Sequence, residues 1–147
     1  MEETCKDDIF GNMTYKHRWY KQQKLMIFGK EWNITVAAKA YSGKPITQEQ
    51  QKSYSNFCDN ESAMVNTIGE KLKEYINENL QELAVYWMGA RSVNTVNEFA
   101  QIVTPKTLLF KQDGTTIMLL DCIWDEERGI AVKLVPEISV GSQDLFL

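Results

Sequence analysis

The chain has 147 residues, 44% apolar, 24% charged and 11% aromatic, with a formal net charge of -4. That length suits one domain, 1–147, and the near-average composition excludes a disordered, collagen-like or disulfide-scaffold chain. No apolar run approaches the ~18 residues of a membrane-spanning helix, and the acidic start Met1–Asp8 is the opposite of a basic, apolar leader. A cytoplasmic protein with no membrane association is expected, residues 1–9 being allowed as a disordered tail.

The first third reads as a three-strand antiparallel meander. Over 13–20, Met13, Tyr15, His17 and Trp19 alternate with Thr14, Lys16, Arg18 and Tyr20, the period of a half-buried strand. His17 then packs among aromatics on the inner face. Lys21-Gln22-Gln23-Lys24 suits a turn, and Leu25–Phe28 reads as covered on both sides. After Gly29-Lys30, alternation resumes from Trp32 to Ala40.

Ser42-Gly43-Lys44-Pro45 ends the strands, and Thr47-Gln48-Glu49-Gln50 has the form of a capping box. Apolar residues from Tyr54 to Leu80 recur at three- and four-residue spacings. They predict one amphipathic helix, or two broken near Asp59-Asn60, ending about Leu83. Residues 84–104 hold the apolar run Ala84–Met88, a break at Gly89 and a short helix towards Val103. Beyond Pro105, Asp113-Gly114 between β-rich runs predicts a hairpin, and 130–135 and 138–140 read as further strands limited by Pro136. The order implies an α+β domain: a mostly antiparallel sheet, central helices packed on it, and C-terminal hairpins.

The residues offer little catalytic chemistry. Cys5, Cys58 and Cys122 are odd in number and scattered, so they read as reduced thiols, Cys58 and Cys122 as small buried side chains. One histidine and three separated cysteines do not make a zinc set, and no phosphate loop or nucleophile elbow occurs. No catalytic residue, metal or cofactor is therefore assigned. Nucleic acid is not expected as a partner, because phosphate affinity needs clustered bases. Residues 46–82 carry seven acids and three bases, hence the whole net charge of -4.

Two features point to binding. Glu70, Glu74 and Glu78 are spaced four apart and share one helix face. Trp124-Asp125-Glu126-Glu127-Arg128-Gly129 sets an aromatic, open to either burial or half exposure, beside three acids. The stretch reads either as a solvated hairpin tip or as a loop that anchors a partner.

Several pieces occur together in order: Phe10-Gly11-Asn12, Trp32 with its strand, Thr47–Gln50, Thr104-Pro105-Lys106, Cys122–Val132 and Val140-Gly141-Ser142-Gln143-Asp144. Together they resemble a family of small bacterial proteins classed as a domain of unknown function, from about Phe10 to Leu147. That pattern commonly has histidine where Arg128 stands. The resemblance implies an α+β fold and a bacterial cytosolic setting, and no activity. Neighbouring small acidic families include suspected immunity proteins, an analogy that concerns genomic company rather than residues.

Two functions follow as expectations. The first is a non-enzymatic domain that binds a basic protein, such as an immunity-type inhibitor of a toxin, through Trp124, Asp125, Glu126, Glu127, Glu70, Glu74 and Glu78. The alternative is a small enzyme using the carboxylates of Asp125, Glu126, Glu127 and Asp144. The oligomeric state is left open.

Overall fold

Eight strands form one sheet whose spatial order follows the chain, β1-β2-β3-β4-β5-β6-β7-β8, in the computed structural model, which describes residues 3–146. The strands are β1 Glu3–Asp7, β2 Gly11–Tyr15, β3 Trp19–Ile27, β4 Lys30–Ala38, β5 Val103–Phe110, β6 Thr116–Cys122, β7 Ile130–Val135 and β8 Ser139–Ser142. Between β4 and β5 come α1 Gln48–Asp59, α2 Glu61–Glu78, α3 Leu80–Leu83 and a 3₁₀ segment, Val96–Gln101. A second 3₁₀ turn, Gln143–Leu145, follows β8. Every neighbouring pair is antiparallel except β4–β5, which is parallel. A parallel pair needs a long crossover, and the helices provide it. The α+β class with a mostly antiparallel sheet therefore holds. Among the described residues, no helix is long and apolar enough to cross a membrane.

Period-two alternation gives the sheet two unlike faces. Leu25, Ile27, Ile34, Val36, Leu108, Phe110, Met118, Leu120 and Val132 share one buried cluster with Tyr54, Phe57, Ile68, Leu72 and Ile76 of the helices. On the other face Ala37, Leu109, Ile117, Leu119 and Ala131 form a smaller cluster, covered in part by Tyr20 and Phe146. Lys111 holds the segment after β8 there by donating from Nζ to the Phe146 carbonyl at 2.6 Å.

The helix start follows its capping chemistry. Thr47 Oγ1 accepts the Gln50 N–H at 3.2 Å, and Gln50 Oε1 accepts the Thr47 N–H at 2.8 Å. Gln50 is also fully buried. Its Nε2 donates to the carbonyls of Lys39 (2.7 Å) and Phe110 (3.0 Å), tying α1 to the ends of β4 and β5. Asn60 separates α1 from α2 as the periodicity predicts, but its Nδ2 donates back to the Asn56 carbonyl at 2.9 Å instead of capping α2. The Asp113-Gly114 turn closes the β5–β6 hairpin: Gly114 has φ +93° and Asp113 Oδ1 accepts the Thr115 N–H at 3.0 Å.

The N-terminal meander differs from the expectation. It has four strands, because Glu3–Asp7 pairs along its length with β2 rather than forming a tail. Lys21–Lys24 is the middle of β3, not a turn. Two of its polar side chains find tertiary partners on the helix side: Lys21 Nζ donates to the Phe10 carbonyl and lies 4.7 Å from the Tyr54 ring centroid, and Gln23 Oε1 accepts the Tyr54 hydroxyl at 2.6 Å. The turn falls instead at 16–18, where His17 is exposed with φ +67° and does not pack inside. Tyr15 and Trp19 pair across it with ring centroids 5.2 Å apart, so the alternation runs on through the turn. Met26 is exposed, leaving 25–28 covered on one side only, and Cys58 is exposed whereas Cys122 is buried.

Candidate functional site

The loop 123–129 joins β6 to β7, and Asp125 organises it. Its Oδ1 accepts the Arg128 N–H at 3.2 Å, its Oδ2 meets Arg128 Nε at 2.9 Å, and its carbonyl accepts the Gly129 N–H at 2.8 Å. Gly129 has φ +67°, and a Cβ there would lie 2.5 Å from both the Leu120 carbonyl oxygen and Gln143 Nε2. That Nε2 donates to the same Leu120 carbonyl at 2.9 Å. The two most distinctive stretches of the sequence, Trp124–Gly129 and Gly141–Asp144, are therefore in contact at Gly129.

Beside this loop lies a half-open cavity of about 370 Å³, bounded by Tyr75 of α2, Glu82 and Leu83 of α3, Tyr86, and Trp124, Asp125 and Arg128 of the loop. Trp124 is only 8% exposed, so of the two readings its place at the loop edge allowed, burial and half exposure, it is buried. Its ring rests against Trp87 at 6.0 Å, because the run Ala84–Met88 turns Trp87 inward to meet it. The same run leaves Val85 (74%), Tyr86 (74%) and Met88 (99%) exposed. Burial pushes the Tyr75 hydroxyl above its ordinary pKa, with smaller pushes from Cys122, Glu82 and Asp125. Burial likewise raises the Cys122 thiol, to about 11.

The acids singled out from the sequence do not converge on one point. Asp125 borders the cavity, but Arg128 occupies its carboxylate. Glu126 lies in a separate shallow depression with Ile102, Thr104 and Asp121, and Glu127 is exposed. Asp144 accepts the Ser142 hydroxyl after β8. Glu70, Glu74 and Glu78 are all exposed along α2, about 12 Å end to end at 1.5 Å per residue. Glu74 and Glu78 border a further depression that shares Tyr75 with the cavity, so the acidic row adjoins it. Lys71 Nζ meets Glu74 at 3.1 Å. Among the described residues, no three His, Cys, Asp or Glu side chains come together as a cation site would require.

Sequence reasoning missed Tyr75, Glu82 and Tyr86 as cavity residues. The signal present was the apolar excess of Ala84–Met88, too short for a helix and too apolar for an ordinary loop.

Fold and cavity together define an α+β domain with a helical layer on one face of an eight-stranded sheet and an aromatic, acid-bearing cleft at the helix–loop margin. The chain belongs to the DUF6985 family, a domain of unknown function, whose model matches residues 9–147. No curated protein and no solved structure matches it.

Proposed function

We propose that the chain is a non-enzymatic protein-binding domain whose partner is a basic protein, an immunity-type inhibitor of a toxin being the form that suits it best. The observation that carries this reading is the exposure of Val85, Tyr86 and Met88 beside the cleft. Adjacent exposed apolar side chains bordered by charge are a mark of interaction surfaces. The charge beside the cleft is largely negative: Glu82 lines it, and Glu74 and Glu78 border the adjoining depression that shares Tyr75. Glu126 and Glu127 add exposed negative charge elsewhere on the same loop. With Trp124 buried, the exposed anchor on this face is Tyr86, held between the acidic row and the loop.

The dispersal of Asp125, Glu126, Glu127 and Asp144 favours binding over the enzyme alternative, since acid–base work needs carboxylates that reach one substrate atom. The test is association kinetics with the basic product of the adjacent gene, at low and high salt. Reversing Glu126 and Glu127 to lysine, and separately Glu70, Glu74 and Glu78, should each slow association about tenfold at low salt, by removing electrostatic steering. Tyr86→Ala should act mainly on dissociation. If nothing binds, or all variants associate like the parent at low salt, the proposal fails.

A further inference from the structure

The cavity beside Tyr86 has a more specific chemistry than an acidic surface. Three aromatic residues, Tyr75, Tyr86 and Trp124, line it together with two acids, Glu82 and Asp125. Among the described residues its one lining cation is Arg128, already paired with Asp125 at 2.9 Å and with its side chain 62% exposed. Glu82 makes no ion pair among the described residues. The three charges therefore sum to minus one, with the uncompensated carboxylate on the helix side.

We propose that this cavity takes a cationic side chain, a lysine or arginine projecting from the partner protein. Aromatic faces attract cations through their quadrupole, and Glu82 supplies the opposing charge. A carboxylate guest would meet Glu82 and Asp125 as like charges, and an apolar guest would desolvate Glu82 with no partner. The Tyr75 hydroxyl is raised first by burial, then by Cys122, with smaller pushes from Glu82 and Asp125. Val85 and Met88, exposed on either side of Tyr86 in the chain, assign the cation to a protein rather than to a free amine, because a free amine has no chain to cover them.

The inference deepens the protein-binding reading and rests on it, yet it fails separately. N-acetyl-lysine amide and N-acetyl-arginine amide are titrated into the full chain by NMR, with N-acetyl-norleucine amide as the neutral probe. Saturable shifts of the Trp124 indole N–H and the Gly129 amide are expected with both cations and not with norleucine. Tyr86→Ala should weaken the cation response about two- to fivefold, Glu82→Gln should weaken it similarly, and Tyr86→Phe should restore it. Tyr86 and Glu82 are exposed, so the variants should fold, as unchanged spectra elsewhere will verify. Equal response to norleucine, no saturation, or no effect of either weakening variant overturns the inference. A basic partner slowed by the acidic reversals and released faster by Tyr86→Ala, but indifferent to Glu82→Gln, would overturn it and leave the protein-binding reading standing.

Discussion

Replacing Gly129 by alanine probes the joint between the two most distinctive stretches of the chain. Two effects combine there, and Gly43 separates them. Gly43 has φ +77° and nothing within 4 Å of an added Cβ, so Gly43→Ala carries the backbone cost alone. An L residue in the left-handed region costs about 1–2 kcal/mol, offset by about 0.4–1 kcal/mol from the stiffer unfolded chain, leaving roughly 1 kcal/mol. Gly129→Ala shares both terms and adds two contacts at 2.5 Å. Displacing the Gln143 amide forfeits its bond to the Leu120 carbonyl, about 1 kcal/mol, and moving that backbone oxygen adds about 1–2 kcal/mol of overpacking. The expected loss is therefore about 3–4 kcal/mol against about 1 for Gly43→Ala. Urea titration reads both, with unchanged m-values as the check that only stability moved. Adding Gln143→Ala should cost Gly129→Ala less than it costs the parent, because the two share the amide contact. If Gly129→Ala and Gly43→Ala agree within about 0.5 kcal/mol, the packing account of Gly129 is wrong.

Gln50→Leu should destabilise by about 2–4 kcal/mol in the same assay, since it removes three side-chain hydrogen bonds at a fully buried position; a loss under about 0.5 kcal/mol would contradict the stapling role. Cys58 should react with a thiol reagent in the native protein at pH 8, and Cys122 only after unfolding, because Cys122 is buried with its thiol pushed up to about 11; native labelling of Cys122 at the rate of Cys58 would refute the packing. The Asp113 carboxyl is held below its ordinary pKa first by the Thr115 backbone N–H. Its folded pKa being depressed, its stabilisation is present above about pH 4 and is lost as pH falls through the folded value. Asp113→Asn should therefore flatten the acid limb of a Tm-against-pH curve.

What could be read from the sequence was what local chemistry decides. Thr47 and Gln50 cap each other within one turn, Asn60 interrupts a helical period, and Asp113-Gly114 makes its own turn. The rest depended on partners distant in the chain. Gln50 is buried because α1 sets it against the end of β5, where the Phe110 carbonyl accepts its amide, which no neighbouring residue signals. Lys21–Lys24 looks like a turn until Phe10 and Tyr54 satisfy Lys21 and Gln23. The actual turn at 16–18 was hidden because Tyr15 and Trp19 keep the alternation in step on both sides of it. At the site, Trp124 and Asp125 stood out in a single stretch, whereas Tyr75, Glu82 and Tyr86 reach the same cavity only through the helical crossover.

That crossover has a kinetic consequence. Pairings β1 to β4 and β5 to β8 each link strands adjacent in sequence, so two meanders can zip up through short loop closures. The parallel register of Thr35–Ala38 against Thr107–Phe110 is different, because residues 39–102 must be arranged before it forms. Loop-closure entropy rises with the length enclosed, which makes this central seam the costliest pairing to nucleate. The two sheet halves should accumulate protection from hydrogen exchange early in refolding and the seam late. The same order implies that a chain cut within the crossover would leave two pieces with their own strand pairings, able to reassociate along one edge.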